Sequence, residues 1–591
     1  MGDIIKGGSF LIRQVGPGDV FTPEDFNDFH RMVADTVKRF VKDKVMPRHE
    51  EIEAMEEGVA IGFLKEMGRL GLVGTDIPEK YGGAGADKIT NLIIAEEVSR
   101  GGSLSLVFGA HTGIGTLPIV YFGSEEQKQK YLPALASGEK VAAYALTEPG
   151  AGSDALNAKT RAVLTEDGKH YILNGTKQFI TNASWADVII TYAKVDGEKF
   201  TAFIVDRNTP GVSIGAEEKK MGIKGSSTCS VIFEDAKVPV ENLLFEVGKG
   251  HRVAFNILNV GRFKLAVGCL GGAKFAIEVT ADYALNREQF NTPIARFGLI
   301  KNKVADMAIK TYALESMCYR VGGLIENLLS SVDLTAPDAG QKMAQGIHEY
   351  AIECSVTKVF GSEVLDFVAD EGVQIHGGYG FSQEYIVEQI YRDSRINRIF
   401  EGTNEINRLI IPATLLRKAM KKEIPLIEAA MKLQEELLMP VFTDIPDEPL
   451  AAEENVIENQ KKVFLLVSGT AAQKYGEKIQ NEQEVLSRMA DMAIEIFAAE
   501  SALLRAKKIM LEKGADAAEL AVKMTECYVT EMVPKMDRWA REVLTHIEEG
   551  DTRRTLLSAL RKLTRLEPVD VYLHKRAIAD AIYAGKKYKV I

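Results

Sequence analysis

One carboxylate stands in a setting that suits proton transfer. Glu401 follows an apolar Ile-Phe pair and precedes a Gly-Thr-Asn turn, at the end of the stretch YRDSRINRIFEGTN (residues 391–404). Asn404 is a good N-cap residue, which predicts a helix over residues 405–416. A carboxylate in a loop at a helix start, with apolar residues before it, loses solvation, and its pKa should rise toward the range that a general base needs. From this segment alone, the preferred interpretation is a surface carboxylate favoured by the helix dipole.

A glycine-rich loop at residues 150–155 (GAGSDA) matches the G-x-G-x-x-A pattern of dinucleotide-binding folds. Those folds need a helix directly after the loop, whereas residues 157–174 predict strand, turn and strand, so we reject the Rossmann interpretation. The loop still offers backbone N–H groups beside the hydroxyls of Thr147 and Ser153, which suit a flavin edge or a phosphate. An ordinary tight loop explains the same residues equally well.

A second glycine cluster, QIHGGYG at residues 374–380, lies between two helical stretches. Its small residues would let a ligand approach the backbone closely. Taken alone, the cluster is more simply interpreted as a helix–helix turn, and His376 as a structural histidine.

The spacing of apolar residues along the chain predicts a mainly α-helical protein with a central β domain, and these elements must position the residues described above. Residues 25–142 predict an N-terminal helical domain, because apolar residues recur there at helical spacing; they are Phe26, Phe29, His30, Val33, Val37 and Val41. Residues 143–250 predict an antiparallel β domain, with β-rich runs at 171–175, 188–192 and 201–205 separated by Gly, Asn and Asp.

The remaining chain predicts a helical bundle over residues 251–420, which carries Glu401, and an additional C-terminal helical domain over residues 430–591. The acidic, proline-containing stretch 444–449 between them predicts a linker or exposed loop. In the last domain an apolar seam at heptad-like spacing must be buried by helix packing; it comprises Val485, Met489, Met492, Ile496, Ala499 and Leu503.

Composition excludes several classes of protein. The 591 residues carry a net charge of −11, which gives no basic footprint for nucleic acid. The five cysteines are scattered without a CxxC pair, which argues against a metal site or a disulfide framework and fits a reducing compartment. The first residues resemble neither a signal nor a transit peptide, and the longest apolar runs are too short to span a bilayer. We therefore expect a cytoplasmic protein.

Together the motifs resemble the acyl-CoA dehydrogenase family. They occur in the family's order over about residues 25–415; they are ALTEPGAGSD (145–154), NGTKQFITN (174–182), GIKGS (222–226), NVGRF (259–263), REQF (287–290), QIHGG (374–378), RD (392–393) and FEGTN (400–404). The very-long-chain subgroup is the most similar, on NVGRF, FGLI (297–300), IFEGTN (399–404) and the extra helical region after about residue 430.

The resemblance implies FAD as cofactor, an acyl-CoA thioester as substrate, and removal of its α-proton and β-hydride to give a trans-2-enoyl-CoA. Glu401 would be the catalytic base, while Gly261 has no side chain to act as the base that some relatives carry on that helix. The expected cofactor-binding residues are Tyr144, Leu146, Thr147, Gly152, Ser153, Phe179, Ile180, Thr181, Arg287, Gln374, Ile375, His376, Gly377, Gly378, Thr403, Asn404 and Glu405. The expected substrate-binding residues are Ser153, Asn259, Arg262 and Gly402.

The resemblance also implies an electron-transfer flavoprotein as electron acceptor and a homodimer. In the subgroup the extra helical region touches membrane, but the acidic stretch 444–454 of this chain would be repelled by anionic lipid, so we expect at most weak peripheral membrane association. Two alternatives stay open: an acyl-CoA oxidase that uses oxygen, and a non-catalytic acyl-CoA-binding protein on the same scaffold. A run of small residues at 109–115 (GAHTGIG) suggests a channel for a long acyl chain, although close helix packing explains the same residues.

Overall fold

The computed structural model describes residues 4–437, 446, 448–567 and 569–591. Helices form the N-terminal part, as the sequence predicts. Their bounds are α1 Asp28–Phe40, α2 His49–Glu53, α3 Val59–Arg69, α4 Lys88–Val98, α5 Ser103–Gly109, α6 Leu117–Phe122 and α7 Glu125–Ala136. In α1 the buried face is His30, Val33, Val37 and Phe40, whereas Phe29 is exposed and Phe26 precedes the helix. The predicted spacing was therefore wrong at those two positions.

The central β domain is a mixed sheet. Its strands are β1 Ala142–Ala145, β2 Arg161–Leu164, β3 His170–Thr181, β4 Val188–Val195, β5 Lys199–Asp206, β6 Val212–Ile214, β7 Thr228–Pro239 and β8 Leu243–Leu244. The order is β6-β7-β3-β2-β4-β5-β8, with β1 also paired to β4. Strands β1 and β2 both run parallel to β4, while the other pairs are antiparallel. The expectation of a purely antiparallel sheet was wrong.

Long helices with one short hairpin follow the sheet. The bounds are α8 Gly250–Asn286, β9 Glu288–Gln289, β10 Thr292–Pro293, α9 Gly298–Leu329, α10 Ala339–Glu349, α11 Ala351–His376, α12 Ile386–Ser394, α13 Asn404–Met420 and α14 Leu426–Leu437. Helices α8 and α11 pack against each other and against α9. The predicted 444–449 linker lies partly outside the described residues.

The C-terminal region is helical, as predicted. Its helices are α15 Ala451–Tyr475, α16 Gln483–Lys513, α17 Ala515–Ile547, α18 Gly550–Leu563 and α19 Val571–Gly585. The whole Val485–Leu503 seam is buried within α16, which packs on α17, α9 and α13. The seam therefore joins the C-terminal helices to the bundle.

Residues 7–25, here called the N-terminal strap, lie between the bundle and the C-terminal helices. Gly8 N–H donates to Glu353 of α11 (2.7 Å). At its other end, Lys508 of α16 donates to the Val20 carbonyl (2.9 Å) and to Asp25 (2.6 Å). The strap thus ties two parts of the chain that are remote in sequence.

A buried charge network adds to this connection. Arg505 of α16 pairs with Glu24 of the strap (2.7 Å) and with Glu315 of α9, and all three side chains are almost fully buried. Lys274 of α8 forms salt bridges with both Glu315 and Glu96 of α4. One network therefore links the strap, the N-terminal helices, the bundle and the C-terminal helices.

Two helical stretches, Ser103–Phe122 and Gly250–Asn286, are long and apolar enough to cross a membrane by length and composition alone. The expectation that every apolar run is too short was therefore wrong. Most of each stretch is buried against other parts of the protein, and this burial explains why its residues are mainly apolar.

Candidate active site

Glu401 stands in a strained turn that other side chains hold in place. Its φ is +56° and that of Gly402 is +77°, so two consecutive residues lie in the left-handed region, where a non-glycine residue is uncommon. Arg262 Nε donates to the Glu401 carbonyl (3.2 Å), and Lys358 Nζ donates to the Gly402 carbonyl (2.8 Å). Asn407 Nδ2 donates to the carbonyls of Gly402 (2.9 Å) and Thr403 (3.0 Å). The turn is fixed from three sides.

The helix after Glu401 begins one residue earlier than predicted. Thr403 is the N-cap of α13, since its hydroxyl accepts from Ile406 N–H (3.2 Å). Asn404 is instead buried inside the first turn, where its amide oxygen accepts from Lys358 (2.7 Å) and its Nδ2 donates to Ser362 (3.0 Å). The prediction of Asn404 as N-cap was wrong because these buried groups already use its side chain.

The carboxylate of Glu401 is poised as a base. Its Oε2 atom is buried and has no hydrogen-bond partner among the residues that the structure describes. Burial raises the pKa of Glu401 to about 7, against the opposing effect of the Arg262 and Lys358 charges. Gly261 of α8 faces this carboxylate: a Cβ placed there would lie 2.5 Å from Oε2. Glycine at this position leaves the carboxylate room to meet a substrate.

Glu401 opens onto an elongated, mainly apolar cavity. The cavity has a volume of about 230 Å³. One face of α8 lines it from Gly261 past Gly268 and Gly272 to Phe275, opposite α4, α12 and the segment 109–114. A Cβ at Gly109 or Gly268 would meet no atom within 4 Å, so both glycines open onto free space.

The predicted channel residues divide between the two interpretations. Gly109 and Gly113 line the cavity, and the backbone Ala110–Gly115 forms a π-helical turn, a distortion frequent at functional sites. Gly115 instead packs tightly, because a Cβ there would lie 2.7 Å from the Ala142 Cβ. The run of small residues therefore serves both the cavity and helix–sheet packing.

The sheet brings an exposed aromatic ring and a hydroxyl toward the same region. Strand β3 has an irregularity in register between Lys177 and Ile180, and Phe179 there has φ +59° and is 62% exposed. Such bulges re-aim a side chain. Two residues later, Thr181 lines the cavity that contains Glu401. An exposed ring next to a hydroxyl at the cavity edge fits the flat ring system of FAD.

The loop 147–153 is anchored to β3. Lys177, which is fully buried, pairs with Glu148 (2.7 Å), and Gln178 N–H donates to the Thr147 carbonyl (2.8 Å). Gly152 and Ser153 are exposed, while Tyr144, Leu146 and Ile180 are buried behind them. A single 3-10 turn, Ala155–Asn157, and then strand β2 follow the loop, in place of the α-helix that a Rossmann motif needs, which confirms the rejection of that motif. The loop can present its backbone N–H groups to a cofactor.

The other predicted residues fall into two places. Arg287 lies over the Tyr379 ring (5.3 Å), and Tyr283 stacks on His376 (4.0 Å), so Arg287 and the 374–378 cluster come together. Gln374, Gly377 and Gly378 are exposed there, and Ile375 and His376 are buried. Glu405 is exposed on the first turn of α13. The cofactor contacts of all these residues stay predictions.

Asn259 and Arg262 are buried beneath the Glu401 turn, where Arg262 donates to the Asn259 side chain (2.9 Å). Their contact with the CoA end of a substrate stays a prediction, but the structure gives Arg262 a positioning role. Sequence reasoning missed Lys358 and Asn407. Lys358 is one of several charged residues in α11, so its own segment does not single it out, whereas Asn407 lies in the first turn of the helix that follows FEGTN.

Comparisons with known proteins show which family the chain is similar to. Models of the acyl-CoA dehydrogenase N-terminal, middle and C-terminal domains match residues 27–139, 143–236 and 248–416, and a further model described as an acyl-CoA dehydrogenase C-terminal domain matches residues 459–562.

A probable acyl-CoA dehydrogenase of Bacillus subtilis is 55% identical over 100% of this chain and 99% of its own length. The very long-chain specific mitochondrial acyl-CoA dehydrogenase of Rattus norvegicus is 36% identical over 92% of this chain and 82% of its own. The crystal structure of an acyl-CoA dehydrogenase complexed with FAD from Bacillus anthracis superimposes with a TM-score of 0.98, at 55% identity, covering 99% of this chain and 100% of that one.

Proposed function

The chain belongs to the acyl-CoA dehydrogenase family and is an FAD-dependent oxidoreductase, and from this premise we propose that it oxidises long-chain acyl-CoA to trans-2-enoyl-CoA in fatty-acid β-oxidation. We further propose that an electron-transfer flavoprotein receives the electrons and that the enzyme acts in the cytoplasm. The observation that carries the proposal is the Glu401 Oε2 atom, which is buried without a hydrogen-bond partner among the described residues and lies at one end of an apolar cavity.

In this mechanism Glu401 removes the α-proton of the thioester. With a pKa of about 7, the carboxylate is partly ionised at neutral pH and yet basic enough to accept a proton. Arg262, Lys358 and Asn407 hold the turn, so that the carboxylate stays aimed past Gly261 into the cavity. Phe179 and Thr181 would hold FAD, which accepts the β-hydrogen with its electron pair when bound.

The dimensions of the cavity support a long acyl chain. Gly261 and Phe275 are fourteen residues apart on α8, a distance of about 21 Å along the axis. An extended alkyl chain advances about 1.3 Å per carbon, given C–C bonds of roughly 1.5 Å, so the channel would accommodate about 16 carbons. Turnover across a chain-length series tests this: an optimum at butyryl-CoA or hexanoyl-CoA would contradict it.

Gly268→Phe is expected to block the channel halfway. The new ring would fill the open space beside Gly268, so that a long acyl chain could bind only by crowding it. If this crowding costs about 1–3 kcal/mol, as overpacking of a protein core does, kcat/KM for hexadecanoyl-CoA should fall roughly 5–150-fold. Short acyl-CoAs, which do not reach this position, should lose far less. Gly268→Ala is the matched control, since one methyl group cannot close the channel. Equal losses for short and long chains in Gly268→Phe would remove Gly268 from this role.

The electron acceptor has its own test. An oxidase would reoxidise its reduced flavin rapidly with oxygen, whereas a dehydrogenase would do so slowly and need the flavoprotein. We expect reduced enzyme mixed with air-saturated buffer to stay bleached on the timescale of turnover.

We propose that the enzyme is a homodimer whose C-terminal helices complete the catalytic bundle. The support is the buried α16 seam, because α16 packs on α9 and α13, and removal of residues after about 430 would expose the apolar surfaces of α9 and α13. Light scattering should show a dimer for the intact chain, and loss of stability or altered assembly for a truncation near residue 430. A tetrameric intact chain, or a truncation with unchanged assembly and melting temperature, would refute this role.

A further inference from the structure

A lysine forms part of the acyl channel. Lys264 lies on α8 one turn beyond Gly261, so it is about 5 Å further along the helix axis than the Glu401 carboxylate. Its stem crosses to the opposite wall, because a Cβ placed on Gly113 would lie 3.7 Å from Lys264 Cδ. An ammonium group projecting into this channel would meet alkyl carbons and lose its hydration without compensation.

The charge of Lys264 is held by Asp76. Its Nζ donates to Asp76 Oδ2 (2.7 Å), while Lys88 bonds the other oxygen. The Asp76 side chain is only 4% exposed, and the two ammonium groups hold the pKa of its carboxyl far below the usual range despite burial. Asp76 does not line the cavity, so the pair draws the ammonium away and leaves the methylene stem facing the channel.

We propose that Asp76 is a specificity-determining residue, which keeps the Lys264 ammonium out of the path of a long unsubstituted acyl chain. This inference rests on the proposed function. Two lysines share one carboxylate here, so loss of Asp76 leaves two unbalanced cations, whereas loss of Lys264 leaves the neutral Asp76–Lys88 pair. The consequence depends on the acyl chain, since only substrates longer than about six carbons pass Lys264.

Asp76→Asn tests the proposal, since the amide keeps the shape of the carboxylate and removes its charge. In the holoenzyme, the ratio of kcat/KM for hexadecanoyl-CoA to that for butyryl-CoA should fall at least 10-fold. Adipoyl-CoA, whose terminal carboxylate would lie near the freed ammonium, should gain at least 10-fold relative to hexanoyl-CoA. Adding Lys264→Met to Asp76→Asn should cancel both changes, because it removes the released charge.

A purely structural role for Asp76 would lower turnover for all chain lengths alike and leave both ratios unchanged, which would overturn the inference. Ratios that stay altered in the double variant would also overturn it. Should Asp76→Asn not fold, the same comparison in the Lys88→Met background leaves a single unpaired lysine and gives the same expected ratios. A wild-type enzyme that turns over no straight-chain acyl-CoA would instead refute the proposed function itself.

Discussion

Glu401→Gln is expected to retain FAD and to bind acyl-CoA but to lose about 10²–10⁴-fold in turnover, the usual contribution of a general base. The amide is isosteric and fits the same strained turn, but it cannot accept the α-proton. The measurement is the rate at which hexadecanoyl-CoA bleaches the flavin absorbance. Glu423→Gln, in the exposed connection between α13 and α14, is the matched control and should bleach at the wild-type rate.

The pH dependence carries a second signature of the same residue. Because the base acts in its ionised form, the bleaching rate should rise as pH passes through about 7 and level off above it. The raised pKa also means that the protonated form of Glu401 favours the folded state. Its contribution to folding stability is fully present below pH 4.5 and is lost as pH rises through about 7. Both dependences should disappear in Glu401→Gln. If Glu401→Gln bleaches at the wild-type rate, Glu401 is not the general base, and Glu405 becomes the next candidate.

Arg505→Met is expected to destabilise the protein by about 3–5 kcal/mol, the usual cost of leaving a buried charge unpaired. The substitution leaves Glu24 without its partner in a site where both side chains are almost fully buried. It also weakens the link between the strap and α16 at the point where α9 meets them. The thermal unfolding midpoint of the holoenzyme is the measurement.

Arg554→Met provides the control for Arg505→Met. Arg554 pairs with Asp551 on the surface of α18, and both side chains are largely exposed. Such pairs contribute about 0–1 kcal/mol, so the midpoint should barely move. Equal shifts in the two variants would show that the buried network contributes no more to stability than a surface pair.

The local sequence alone did not identify Glu401 as a base. The apolar pair before it and the turn after it indicate some loss of water, but this segment favoured a surface carboxylate, and only the family motifs elsewhere in the chain reversed that preference. The structure places Glu401 half-buried with a raised pKa. The heptad-like seam of α16 was predictable locally, because burial of one helix face requires apolar residues at helical spacing.

Contacts between segments that are remote in sequence could not be predicted from a local pattern. The parallel pairing of β1 and β2 with β4 is set by which strand lies beside which, and alternation of side chains within a strand does not encode it. Lys358 and Asp76 are further cases. Lys358 acts through Gly402 and Asp76 acts through Lys264, and both partners are remote in sequence. The segments around Lys358 and Asp76 therefore do not predict these roles.

The N-terminal strap has a consequence for how the chain is made. Glu24 and Arg505 are 481 residues apart in sequence. At synthesis rates of about 5–20 residues per second, the strap leaves the ribosome roughly 25–95 s before its partner exists. During that interval Glu24 and Asp25 remain hydrated, and the groove that they will fill stays open. Docking of the Val20–Asp25 end of the strap onto α16 must therefore follow synthesis of the C-terminal helices, whereas the Gly8 end can already bind α11.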